Sequence, residues 1–405
     1  MSQPPHQPPR PIGLVRLCAL GAALSATGTV LLTTSNAWAQ SGDAAAKPAR
    51  AAATPLTARQ PLPHAGYDKG FFIQSPDGDF RLIVTGRVQA RFTYEGRDSE
   101  PDEHFFSIPR ARLKLTGHAF TPDLCFGIQT DFGMGAVPTL KDAYVDYSVV
   151  PNVFHARAGQ FKKPFSRQQL SSGVKLNLVE RAITNGAFGT GRDLGVMVHN
   201  DYGKSPPFEY ALGVFNGSGD KATVDMTTGT QSNVPERVDP VIVTRVGYNH
   251  GPIKGYEEAD FDGGPLRFSI TGGPQIWSNL TDEQRGAIEL NAELLMKAHG
   301  LTTQAGLFAG WEQEGPDFGN QDYQQLGIYL EAGYLIGELV QPSARWARVI
   351  PKGADNDMVE LLGGVSVFAY RHNVKWMVDG GEIISETSTG TTNDYRIRTQ
   401  LQLQL

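Results

Sequence analysis

Past residue 79 the chain alternates. Apolar and polar side chains take turns along segments of about 8–13 residues, with Gly, Pro, Asn and Asp clustered between them, which is the period of strands and not of helices. The clearest case is FSIPRARLKLTGHAF, residues 106–120. Arg110, Arg112, Lys114 and His118 fall on every second position, with Thr116 between them. Ala111, Leu113, Leu115, Gly117 and Ala119 fill the other face.

The pattern predicts about sixteen strands, near 80–94, 107–120, 124–132, 140–149, 154–161, 193–200, 208–216, 241–249, 266–277, 287–298, 301–312, 323–335, 339–350, 358–370, 374–383 and 393–405. One stretch, NLTDEQRGAIELNAELLMKA, also carries helix formers and a Thr281 cap. Its Ile288, Leu290, Ala292, Leu294 and Met296 alternate, so strand is the expectation.

Tiny links follow the second, fourth, tenth and fourteenth segments: Thr121-Pro122-Asp123, Val150-Pro151-Asn152, His299-Gly300 and Arg371-His372-Asn373. The links after the odd-numbered segments are mostly longer, such as 95–105. Short turns at one end and long loops at the other, with an even strand count, predict an all-β fold: a transmembrane antiparallel β-barrel of about sixteen strands. The connection near 250–264 is too long for a short turn and breaks the rule. A β-sandwich or a soluble β-helix is the architectural rival. Either would have to bury one face of every strand, whereas a membrane barrel gives each face its own solvent.

The ends of the chain change the picture next. Arg10 and Arg16 precede an uncharged stretch from Leu17 to Leu32, and Ala37-Trp38-Ala39 follows, so residues 1–39 read as a secretory signal peptide. Residues 40–66 are Ala- and Pro-rich and read as a flexible lead-in. The barrel is expected over 67–405. The formal charge is −6; cleavage would remove two arginines and no acid and take it to −8. An acidic chain of this kind is not a nucleic-acid binder by charge. Cleavage would also leave Cys125 as the one cysteine, which excludes an intramolecular disulfide and a cysteine-built zinc site. No cofactor or metal is expected.

The polar faces carry the candidate chemistry. Arg81, Thr85, Arg87, Gln89, Arg91 and Thr93 share one face of the first strand; His155 and Arg157 lie on the fifth; Arg396 and Arg398 lie on the last. Closure of the barrel brings the last, first and second strands together. Arg87, Arg91, Arg110, Arg112, Lys114, Arg157, Arg396 and Arg398 are therefore the expected pore-lining anion path, because rows of Arg and Lys favour anions. Positions i and i+2 stand roughly 6.6–7 Å apart, a spacing that lets an anion pass from one guanidinium to the next. Asp142, Asp146, Glu289 and Glu293 are expected to form an opposing acidic wall. The longest early loop supplies Lys162, Lys163 and Arg167 as candidates for a constriction. Asp98, Glu100, Asp102 and Glu103 make another loop acidic, which argues against strict phosphate selection at that mouth.

The ordered set RARLKLTGHAF, LKDAYVDY, RAGQFKKPFSRQQL, VERA and GRDLGVMV resembles the phosphate-selective porin O and P family, over most of 80–405. The resemblance implies a sixteen-stranded barrel of the bacterial cell outer membrane, usually a homotrimer, with an arginine ladder and lysines at its constriction. Arg87, Arg91, Arg110 and Arg112 match ladder-type positions, and Lys162 and Lys163 match the lysines by region. The chain ends in Leu405, not in the aromatic residue common to such barrels.

The expected function is passive diffusion of small anions, phosphate or polyphosphate among them, with outer-membrane lipid as the other partner. A general or sugar-selective porin is the nearer alternative. Enzyme motifs of the G-x-S-x-G, H-E-x-x-H or phosphate-loop type are absent, which leaves a Ser–His barrel hydrolase as a minor alternative.

Overall fold

Every alternating segment is a strand in the computed structural model, which describes residues 64–98, 100–133, 138–188, 191–219, 240–277, 287–313, 322–350, 357–387 and 390–405. A short hairpin comes first, β1 (Ala65–Tyr67) and β2 (Phe71–Gln74). The sixteen predicted strands follow as β3 (Arg81–Gly96), β4 (Glu103–Ala119), β5 (Thr121–Asp131), β6 (Thr139–Val150), β7 (Phe154–Lys162), β8 (Arg192–His199), β9 (Phe208–Phe215), β10 (Val241–His250), β11 (Arg267–Trp277) and β12 (Ala287–Ala298). The series ends with β13 (Leu301–Gln313), β14 (Asp322–Tyr334), β15 (Val340–Ile350), β16 (Asp357–Tyr370), β17 (Val374–Thr387) and β18 (Gly390–Gln404). The stretch with helix formers is β12; its Thr281 cap, and the signal and most of the lead-in, lie outside the described residues.

Each strand pairs antiparallel with its sequence neighbour, and β18 pairs with β3, Leu401 opposite Ala90, which closes the ring. Closure gives each of β3 to β18 a partner on both sides, the condition for crossing hydrocarbon. The N–H of Leu405 donates to the Gly86 carbonyl at 2.8 Å. Beyond that point β2 takes over the same edge of β3, Phe71 opposite Val84. The hairpin therefore continues the closing seam past the chain end.

Alternation sets the two faces. In β15, Gln341, Ser343, Arg345, Ala347 and Val349 are buried inside, while Pro342, Ala344, Arg348 and Ile350 are exposed outside. Outward Leu113, Val196, Leu307, Leu330, Trp376 and Leu401 are all exposed, as a lipid-facing belt requires. Aromatic pairs mark both rims: Phe80 with Phe120 at the short-turn end and Phe92 with Phe106 at the long-loop end. Between Gln89 and Arg91 the register with β4 shifts at Ile108 and Pro109, where a residue without an N–H costs no ladder bond.

The packed core lies inside the barrel. The loop after β7, with its short helices α1 (Arg167–Leu170) and α2 (Ile183–Ala187), crosses the lumen. Phe165, Val174, Leu176, Leu178, Val179, Ala182 and Phe188 of this loop are almost fully buried. Phe188 stacks on Phe308 with centroids 5.0 Å apart. It fits because Gly327 lies beneath it; a Cβ there would come within 2.4 Å of the ring. The long connection 251–266 is the second inward element. Its Ile253, Ala259 and Phe261 are buried, and Arg267 grips Asp260 at 2.8 and 2.9 Å. The rule-breaking length of this turn thus has a cause: it braces the crossing loop.

Candidate functional site

The two inward elements fill the side of the lumen under β9 to β17. What remains open is a cavity of about 900 Å³ along β3 to β8. Among the described residues, eleven basic side chains line it against two acids, Asp68 and Asp142. Water-filled surroundings and low-dielectric walls make such an excess a strong field for anions.

Five of the eight residues expected on the anion path line this cavity: Arg87, Arg110, Arg112, Lys114 and Arg157. Arg87 lies directly opposite Arg112 in the β3–β4 register, and Thr85 opposite Lys114. The other three are spent on pairs elsewhere. Arg91 bonds Gln400 and Glu180, Arg398 holds Asp379 at 2.8 and 2.9 Å in a buried pair, and Arg396 reaches Glu95 at 2.9 Å. The predicted adjacency of β18, β3 and β4 is correct, but β18 turns paired side chains to the loop, and the open basic wall runs from β3 toward β8.

The acids do not form a wall across from the arginines. Asp142 accepts from Arg192 Nε at 2.8 Å, and Asp146 lies opposite Arg157 in the β6–β7 register and accepts its Nε at 2.7 Å. Both stand in the basic wall itself. Glu289 accepts from Gln275 Nε2 at 2.5 Å. Glu293 accepts the Arg167 backbone N–H at 2.6 Å and the Tyr329 hydroxyl at 3.2 Å. Glu293 therefore anchors the crossing loop, Glu289 pairs with the neighbouring strand, and neither lines the open space.

Anchoring explains the acids. Asp131 holds Arg112 by Nε at 2.6 Å, Asp146 holds Arg157, and Asp142 holds Arg192. Each carboxylate takes Nε, which fixes the stem; Arg112 and Arg157 keep their terminal nitrogens toward the cavity, while Arg192 also gives Nη2 to Asp142 at 3.1 Å and to Gln129 at 3.4 Å. In the loop, Glu180 bridges Arg91 and Arg110 at 2.5 and 2.6 Å. Burial opposes its charge, but Arg110 and Arg91 outweigh burial and hold its carboxyl well below the usual range. Arg181 donates Nε to the Gln168 carbonyl; burial and then Arg110 push it down to about 10, so it stays a cation.

The three loop candidates separate. Lys162 lines the cavity but gives its ammonium to the Leu170 and Ser171 carbonyls at 3.0 and 3.1 Å. Lys163 lies over Trp277, 5.3 Å from the ring centroid, and burial lowers its pKa. Arg167 is 1% exposed and binds Gly255, Ser269 and Thr271, so it pins the loop and does not line the cavity. Among the lining residues that sequence reasoning passed over are Arg192, Lys141 and the hairpin-tip Lys69. Arg192 sits in the quoted GRDLGVMV, one residue before the segment as drawn. Lys69 had no signal, because the hairpin precedes the alternating region.

Residues 83–362 match the family model described as phosphate-selective porin O and P. No curated protein sequence matches the chain. Among the solved structures that share the fold are the following three. The anion-selective porin from Comamonas acidovorans aligns with 80% of this chain and 99% of its own, at 13% identity and a TM-score of 0.56. The outer membrane channel DcaP of Acinetobacter baumannii aligns with 82% and 99%, at 14% identity and a TM-score of 0.57. OmpT, an outer membrane protein of Vibrio cholerae in trimer form, aligns with 79% and 99%, at 12% identity and a TM-score of 0.51.

Proposed function

Because this chain belongs to the phosphate-selective porin O and P family, and so is a bacterial outer-membrane channel, we propose that it passes small anions, inorganic phosphate among them, down their gradients. One observation carries the reading: an open lumen bounded by eleven cations and two acids, with Arg87 and Arg112 directly opposed. Like charges placed opposite one another repel, and a passing anion relieves that repulsion.

The transport step follows from the anchored arginines. An anion entering the lumen sheds part of its water and meets guanidinium edges already fixed in place, so little ordering remains to be done. Neighbouring cations overlap in reach, so no single one holds the ion. The energy comes from the solute gradient alone. Residues 1–39 would serve export to the periplasm, and three copies would assemble, as in the trimer form of OmpT from Vibrio cholerae.

The phosphate part has its own test. With chloride as the carrier in a planar bilayer, millimolar phosphate should reduce the current, and less so in Arg87→Gln. An unchanged chloride current at saturating phosphate would leave an anion pore without a phosphate site.

A further inference from the structure

One side of the cavity is aromatic. Tyr144, Phe161, Tyr202 and Tyr256 line it, in two packed pairs: Tyr144 with Phe161, centroids 6.3 Å apart, and Tyr202 with Tyr256, 5.9 Å apart. Tyr144 lies against Gly127, where a Cβ would come within 2.6 Å of its ring. Arg157 sits over Tyr144, its Cζ 4.5 Å from the centroid. Asp146 takes its Nε, and no described residue bonds Nη1 or Nη2. The result is a layered ledge: a glycine notch, a ring, then a guanidinium facing the lumen. Lys114, on the same wall, has no described ion-pair partner and also lines the cavity.

A dehydrated phosphate wants a dense cage of ammonium and N–H donors. Here two of the lysines that line the cavity are committed, Lys162 to two carbonyls and Lys175 to Glu257 at 3.2 Å, which leaves Lys114 beside the ledge and no cage of ammonium groups around it. A fixed guanidinium plane beside aromatic edges suits a flat organic anion better. A ring stacks on the guanidinium or meets the tyrosines edge-to-face, while a carboxylate takes the free nitrogens.

We propose that the preferred solutes of this channel are carboxylates bearing a planar aromatic ring, held in passage by the Tyr144–Arg157 ledge with Lys114 beside it. The proposal rests on the anion-channel reading above and narrows its solute class. Aromatic pairing contributes roughly 0.5–1.5 kcal/mol, a factor of about 2–13 in binding.

The test compares benzoate with cyclohexanecarboxylate, which matches it in charge and near size but is not planar, as blockers of chloride current through the purified full-length protein. Benzoate should reach half-block at roughly three- to tenfold lower concentration. Arg157→Lys keeps the charge and removes the plane, and Tyr144→Leu removes the ring; in each the ratio should fall toward one. If Tyr144→Leu does not refold, Arg157→Lys decides alone. Equal block by the two acids in a wild-type channel that still prefers chloride to potassium would overturn the aromatic class and leave the function standing. A wild-type preference for potassium would overturn the function itself.

Discussion

Arg87 and Arg112 face each other across β3 and β4, and only Arg112 has a carboxylate of its own. Arg87 reaches just the Ser172 hydroxyl at 3.3 Å, and its buried Nε has no described partner. The fold therefore retains a repulsion on the lumen wall. Arg87→Gln should remove it and raise stability by about 0.2–1 kcal/mol, the size of a cross-strand charge effect. The same change should weaken anion preference. Thermal unfolding in detergent, set beside the zero-current potential, checks both; a loss of stability would mean that Arg87 serves the fold more than the solute.

Asp146 is expected to matter for stability more than for selectivity. It accepts from Arg157, His155 and His199 at 2.7, 3.1 and 2.8 Å, and its carboxylate is 8% exposed. Asp146→Ala strands a largely buried guanidinium, a change that costs about 3–5 kcal/mol where pairs are buried. Arg157 is 20% exposed, so the lower end applies. Loss of heat-resistant migration on a gel at a lower temperature is the expected sign; an unchanged transition would show that Arg157 needs no anchor.

The crossing loop depends on one arginine. Arg167 is fully buried, with partners on β11 and on the inward turn, and its backbone N–H is held by Glu293. Arg167→Ala should free the loop from the far wall. Single-channel conductance should rise and its noise increase, because the filled side of the lumen opens. A quiet channel of wild-type conductance would show that the hydrophobic side of the loop holds it alone.

Glu258 should make the loop–turn contact pH-dependent. It lies on the inward turn and accepts the Asn177 backbone N–H at 2.6 Å. Burial, then the neighbouring Glu331 charge, push its pKa up to about 7, with Arg345 opposing. A carboxyl raised in the folded state stabilises fully below its unfolded pKa, near 4.5, and that contribution is lost as pH rises through 7. His372, in the turn after β16 and pushed down to about 4 by burial, acts in the opposite direction, gaining stability as pH rises to 6.5. The Glu258 share is therefore read as the difference between wild type and Glu258→Gln. That difference should shift against wild type from pH 5 to pH 8; hydrogen exchange of the 171–180 backbone measures it, and a constant difference would refute it.

The barrel was readable from alternation alone. A two-residue period with charges on one face has few solutions, and all sixteen segments, including the helix-rich 287–298, became strands. The site was half readable. Arg87, Arg110, Arg112, Lys114 and Arg157 were placed by parity, which says inward but not whether inward means open. Glu289 and Glu293 also point inward, yet Glu293 meets a loop whose path no local pattern encodes, and Arg167 on that loop turns to β11 and not to the cavity. Asp142 and Asp146 were misassigned because acids near arginines look like a counter-wall in sequence. Only the register of β6 with β7 shows that Asp146 stands beside Arg157 and holds it.

Anion conduction is tested most directly by the zero-current potential of the wild-type channel in a planar bilayer across a tenfold KCl gradient. A lumen with eleven cations and two acids predicts a potential of the sign set by chloride, shrinking as salt rises and screens the wall. A potential of the potassium sign would contradict it.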